Sequence, residues 1–157
     1  MNVGSVIHFD GELGEHVSDA LEDCPGRQFR VLRGPTEHLP CAEVKCETCH
    51  GTYPVVEDLF LDAVFSADAQ SPEYQYAVKF SYRFHLGKAN SERESFGFWF
   101  RTDRGSRKFF SNVRDNVVLN HWHPNHPSEV LDRVAVKLYH KPDEGDWERI
   151  NIREIAV

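Results

Sequence analysis

The sequence has no apolar run long enough to cross a membrane and no basic-then-apolar leader after Met1. It contains no glycine-rich phosphate loop, no Ser or Cys nucleophile motif and no paired-carboxylate arrangement. Internal repeats, low-complexity segments and linkers are also missing. Positive charge is in deficit: 18 Lys and Arg against 25 Asp and Glu give a net charge of −7. That balance argues against general affinity for nucleic acid or anionic membranes, where a net basic face is expected. The expectation is one domain spanning residues 1–157 in the cytoplasm, or in a host cytoplasm if the chain is viral.

What is present is aromatic and alternating. Eleven Phe, three Trp and five Tyr suit a sheet protein. In the stretch 74–86, Tyr76, Val78, Phe80, Tyr82, Phe84 and Leu86 share one face, and Ala77, Lys79, Ser81, Arg83 and His85 the other. A period of two marks a strand with one buried and one wet face. Further strands are expected at 3–9, 28–33, 55–65, 95–101, 113–120, 133–140 and 147–157. The last has a phase shift between Ile152 and Ile155 that implies a bulge. Residues 87–94 read as a polar loop, and Pro142 to Asp146 as a hairpin turn. One short helix is expected at 12–22, where Leu13, Val17 and Leu21 recur every four residues.

Seven or eight strands at this spacing imply an all-β fold, an antiparallel two-sheet β-sandwich of jelly-roll type. The closing run Ile150-Asn151-Ile152-Arg153-Glu154-Ile155 resembles the final strand of galactose-binding-type jelly rolls. Fold of this kind does not fix function.

Chemistry concentrates in two clusters. The first lies in an irregular stretch at 34–54. Cys46-Glu47-Thr48-Cys49-His50-Gly51 has the shape of a zinc knuckle, in which a turn brings two thiolates to one tetrahedral ion and backbone amides point at the sulfurs. It resembles one copy of the Cys-x-x-Cys-x-Gly-x-Gly repeat of J-domain chaperones, with Tyr53 at the last Gly position. A structural Zn²⁺ bound by Cys24, Cys41, Cys46 and Cys49, or with His38 or His50 as fourth ligand, would order the long loop. Free thiols and a disulfide are the alternatives.

The second cluster is His121-Trp122-His123-Pro124-Asn125-His126. It resembles the His-x-His-x-Asp-His signature of the metallo-β-lactamase superfamily, which implies His121, His123 and His126 as ligands of a catalytic zinc. Asn125 stands where that family has Asp, and only 31 residues follow His126, too few for the family's later ligands. A single-ion site built on His121 and His123, which share a face if the segment is a strand, is the alternative. The bland alternative is a solvated loop bracketed by Pro124 and Pro127.

With no complete catalytic motif, the leading expectation is a non-catalytic binding module for a protein or glycan, with homo-oligomers allowed. Trp99, Arg101, Arg83 and Tyr139 are candidate contact residues because aromatic and basic side chains on the outward phase of strands form stacking platforms, and Trp122 is a further candidate as the centre of a binding loop. A metal-dependent enzyme centred on the histidine cluster is one alternative, and a viral or bacterial inhibitor acting by occlusion is another.

Overall fold

The computed structural model describes residues 2–9, 16–18, 22–36, 40–65, 72–86, 89–120 and 130–157. Among them every strand pairing is antiparallel, as the alternating pattern requires. The fold is mostly β, with two helices.

The first half of the chain builds a sheet of five short strands. Strands β1 (Val6–His8), β4 (Gln28–Arg33), β5 (Ala42–Cys46), β6 (Thr52–Val56) and β7 (Leu59–Phe60) lie in that order. Its core contains Phe29, Val31, Val44, Cys46, Tyr53 and Phe60. A two-stranded ribbon, β2 (His16–Val17) with β3 (Asp23–Cys24), contributes Cys24 to the same core. The stretch 34–54 is therefore not an irregular loop. Most of it is the β5–β6 hairpin, with Ala42, Val44 and Cys46 buried on one phase. Residues 16–17 are strand and not part of a helix, and 10–15 and 19–21 lie outside the described residues. The helical spacing of Leu13, Val17 and Leu21 misled because three apolar positions carry little weight against pairing to a neighbouring strand.

The second half builds a longer, curled sheet. Strands β8 (Ala63–Phe65), β9 (Tyr76–Leu86), β10 (Ala89–Phe100), β11 (Val130–His140) and β12 (Glu148–Ile155) run in the order β12-β11-β9-β10-β8. The inward phase read from the sequence holds, since Val78, Phe80, Tyr82, Phe98, Val134, Val136 and Leu138 all lie in one core. Residues 89–94 extend β10 and pair with β9, so the expected polar loop is strand over most of its length. The β11–β12 register is regular from Ile152 to Ile155, where a bulge was expected; the bulge lies earlier, where Leu138 faces Asn151 and Tyr139 faces Arg149, leaving Ile150 as the extra residue.

Helix α2 (Asp115–Asn120) replaces a strand expected at 113–120, and α1 (Asp103–Asn112) precedes it where no helix was expected. Thr102 starts α1, its hydroxyl accepting the Gly105 amide at 3.1 Å, and Asp103 sits in the first turn where the helix dipole favours an acid. Phe109, Phe110, Val113, Val117 and Val118 lie in the core of the second sheet, so the helices cover its apolar face. Arg153 on β12 fixes the junction between them by donating to the carbonyls of Phe110 and Val113 and to Asp115. Tyr82 ties α2 to the sheet through a 2.6 Å bond from its hydroxyl to the Val118 carbonyl.

Phe109 is fully buried, with ring centroids 5.0 Å from Phe98 and 5.9 Å from Phe100. Phe109→Ala removes the centre of the helix–sheet contact and is expected to cost about 3–5 kcal/mol in denaturant unfolding. A loss below about 1 kcal/mol would contradict the helix as the cover of this sheet.

Candidate metal centre

The β5–β6 turn sets the first half of the centre. Cys46 ends β5, and its amide donates to the Gly51 carbonyl at 2.9 Å. The His50 amide donates to the Cys46 carbonyl at 3.0 Å, and His50 adopts a left-handed φ of 64° to close the turn. The chain then wraps around the Cys46 sulfur. The amides of Thr48 and Cys49 point at Cys46 Sγ from 3.4 and 3.5 Å. This is the amide-to-sulfur pattern that stabilises a thiolate and orients it toward a cation.

The ribbon sets the second half. His16 and Cys24 are directly opposite in the β2–β3 pair, and the Gly26 amide donates to Cys24 Sγ at 3.4 Å. The two halves meet closely at Gly26. A Cβ there would lie 2.7 Å from Thr48 Oγ1 and 2.9 Å from Cys46 Sγ, so only glycine admits this approach.

Four donors converge as a result. Cys24 Sγ lies 3.8 Å from Cys46 Sγ, and Cys49 Sγ lies 3.7 Å from His16 Nε2. All four ligand atoms of His16, Cys24, Cys46 and Cys49 are within 4.8 Å of one another. A tetrahedral ion with metal–sulfur bonds of about 2.3 Å needs donor separations of about 3.8 Å, close to those found. The cysteines are free, and 3.8 Å is far beyond a sulfur–sulfur bond of about 2.05 Å. The arrangement could hold a metal ion.

The surroundings suit that chemistry. His16 is 1% exposed, its ring packed edge-on against Phe29, Tyr53 and Phe60 at 5.1–5.7 Å. Burial, aided by the Arg27 charge, lowers its pKa and keeps the imidazole neutral, as a ligand must be. Burial pushes the Cys24 thiol up to about 11 against the pull of the Gly26 amide. Burial also raises Cys46, but the amides of Cys49 and Thr48 and the neighbouring thiols outweigh it and bring that thiol below its ordinary value. The Tyr53 hydroxyl donates to the Val17 carbonyl at 2.8 Å and sits 3.6 Å from Cys49 Sγ, linking ribbon to hairpin.

Three of the four cysteines anticipated as ligands are thus brought together, and the fourth is not. Cys41 is five positions from Cys46, and an odd offset along a strand puts it on the opposite face. It is fully buried in the other core, where its carbonyl accepts from Arg33 at 2.7 Å and its sulfur lies 3.8 Å from the same guanidinium. His16 takes the fourth place. It sits in the stretch expected to be helical, and nothing in its spacing from Cys24 marks it as a ligand. His50 is exposed and serves the turn through its backbone. His38, His121, Trp122, His123 and His126 lie outside the described residues.

The other candidate residues are placed as follows. Trp99 is on the outward phase but only 6% exposed, so it is no open platform. Its ring rests over Gly97, and the Lys79 ammonium lies 5.7 Å from its centroid and 5.2 Å from that of Tyr139. Arg83 pairs with Asp132. Arg101 reaches across to the ribbon, donating to the carbonyls of Val17 and Ser18. It also opposes the burial of Asp62, whose carboxyl is 4% exposed and is pushed up to about 6 by desolvation.

No protein-family model, curated protein or solved structure matches the chain. No helix among the described residues is long and apolar enough to cross a membrane.

The raised Asp62 pKa has a definite sign. Below about pH 3 the carboxyl is protonated in folded and unfolded chains alike. Between about pH 3 and 6 the unfolded chain ionises first, so the folded state loses stability as pH rises. Asp62→Asn removes that cost. Its stability advantage over wild type is expected to grow from near zero at about pH 3 to roughly 2–3 kcal/mol at about pH 7. Parallel stability profiles for the two proteins would contradict the assignment.

Proposed function

We propose that the chain is a non-catalytic binding module whose first half is clamped by one structural Zn²⁺, held by His16, Cys24, Cys46 and Cys49. The observation that carries this reading is the convergence of four soft or borderline donors from two separate ribbons at tetrahedral spacing. Three sulfurs and one imidazole are a zinc set, whereas oxygen-rich sites suit Mg²⁺ or Ca²⁺. Four protein ligands complete the tetrahedron and leave no position for a water or substrate, which is the mark of a structural site.

The ion would join elements that otherwise share little. The β2–β3 ribbon has only two residues per strand, too few to hold itself in place. Zinc would pin it to the β5–β6 hairpin, and the binding free energy would become folding free energy. A jelly-roll-like stacking of the two five-stranded sheets belongs to the same proposal. It is supported by Cys41, Val56 and Leu61 of the first half entering the core of the second sheet. The non-catalytic role, toward a protein or glycan, is supported by the closed character of the metal set, which leaves no ligand position for a substrate.

Elemental analysis of protein purified without chelator or metal-affinity resin is expected to give one zinc per chain. Cys24→Ser, Cys46→Ser and His16→Ala should each lose it, and Cys41→Ser should keep it. Stripping the ion should lower Tm by about 10 °C or more. Zinc retained by both Cys24→Ser and Cys46→Ser, or absent from the wild type, would overturn the proposal.

A further inference from the structure

The four cysteines differ sharply in access. Cys24, Cys41 and Cys46 are 5%, 0% and 0% exposed, and Cys49 alone is half-buried. Cys49 lies in the turn between β5 and β6, where Glu47, Thr48 and His50 beside it are exposed. A small reagent arriving from solvent therefore meets the Cys49 sulfur first. The reactivity of a cysteine follows its thiolate character and its exposure, and a second thiol nearby decides what the oxidised sulfur becomes.

That second thiol is in place. Cys46 Sγ and Cys24 Sγ both lie within 4.8 Å of Cys49 Sγ. The two are not equivalent. Cys46 is three positions from Cys49 on the same hairpin, so a bond between them closes a very small loop at little cost in chain entropy. The Thr48 and Cys49 amides point at Cys46 Sγ, which favours it as the attacking thiolate. Cys24 lies on β3, across the gap between ribbon and hairpin, where the Gly26 amide donates to its sulfur.

The way the ligands are divided makes this pairing matter. The ribbon supplies His16 and Cys24, and the hairpin supplies Cys46 and Cys49. A Cys46–Cys49 disulfide consumes both hairpin ligands at once. His16 and Cys24 remain, both on one ribbon, where a structural ion needs four protein ligands. A Cys24–Cys49 disulfide would have the opposite effect, because it would tie ribbon to hairpin covalently.

We propose that Cys49 is an oxidation site for hydrogen peroxide, and that its oxidation closes a Cys46–Cys49 disulfide and releases the ion. The proposal rests on the zinc reading of the centre and adds how that centre is regulated. The Cys49 thiolate attacks one peroxide oxygen. An S–O bond forms, the O–O bond breaks, and the departing hydroxide takes a proton from solvent to become water. The Cys46 thiolate then attacks the Cys49 sulfur. An S–S bond forms, the S–O bond breaks, and the second hydroxide is protonated to water. The pair of sulfurs loses two electrons and the peroxide gains them, while Zn²⁺ departs unchanged in oxidation state. A thiol reductant reverses the oxidation and restores the ligand set.

Treatment of the zinc-loaded protein with hydrogen peroxide tests this. Zinc release is followed with a chromogenic chelator against untreated protein. The cysteines are mapped by mass spectrometry after cleavage at Glu47, which lies between Cys46 and Cys49. One zinc is expected to leave for each peroxide consumed, with a Cys46–Cys49 disulfide formed and Cys24 and Cys41 still free. Dithiothreitol should restore zinc binding. Dimedone present during oxidation should label Cys49 and spare Cys24 and Cys46. Cys41→Ser should release zinc at the wild-type rate. Zinc retained under about a hundredfold excess of peroxide overturns the proposal and leaves the metal centre standing. So does a disulfide that includes Cys24, or dimedone found first on Cys24. Protein that carries no zinc before oxidation overturns both.

Discussion

Three thiols and an imidazole within 4.8 Å, three of the four side chains buried, form a group that cannot ionise together without a cation among them. The rest of the first half of the molecule is arranged around that constraint. The glycine at position 26 exists to let Cys24 and Cys46 approach. The left-handed turn at His50 aims two amides at one sulfur. The aromatic cage of Phe29, Tyr53 and Phe60 fixes the His16 ring so that Nε2 faces Cys49. Each of these features bears on one of the four donors, and Phe29, Tyr53 and Phe60 also belong to the core of the first sheet.

The second half of the chain needs no such device. Its strands run 8–12 residues where β9 to β12 pair, against 2–6 in the first half. Two helices and a large aromatic core cover one face. Long ladders over a broad core are self-supporting, and short strands are not. In the proposed reading the two halves divide the work: an ion would reinforce the small core of Phe29, Val31, Val44, Tyr53 and Phe60 in the first half, and the larger buried apolar area holds the second. Arg101 joins them by donating to the Val17 and Ser18 carbonyls of the ribbon segment.

What the residues revealed in advance follows from how local each signal is. The strand phases of 76–82 and 133–140 were legible because a period of two over many residues has few competing explanations. The knuckle at Cys46 and Cys49 was legible for the same reason, since its geometry is set within six residues. Cys24 joined by composition alone, and Cys41 was expected beside it because linear proximity to Cys46 conceals the strand's alternation. His16 was invisible: its role depends on pairing with Cys24 in a ribbon that the apolar spacing of 12–22 did not suggest. The helix at 103–112 was not anticipated although Thr102-Asp103 carries a cap signal, because a glycine at position 105, in its first turn, weakens a helical pattern.

Zinc-edge X-ray absorption on the purified protein examines the ligand set itself. Three sulfurs at about 2.3 Å and one imidazole nitrogen at about 2.0–2.1 Å are predicted, with Cys41→Ser leaving the spectrum unchanged. A four-sulfur shell that loses one scatterer in Cys41→Ser, or a shell of nitrogen and oxygen alone, would contradict the His16, Cys24, Cys46, Cys49 centre.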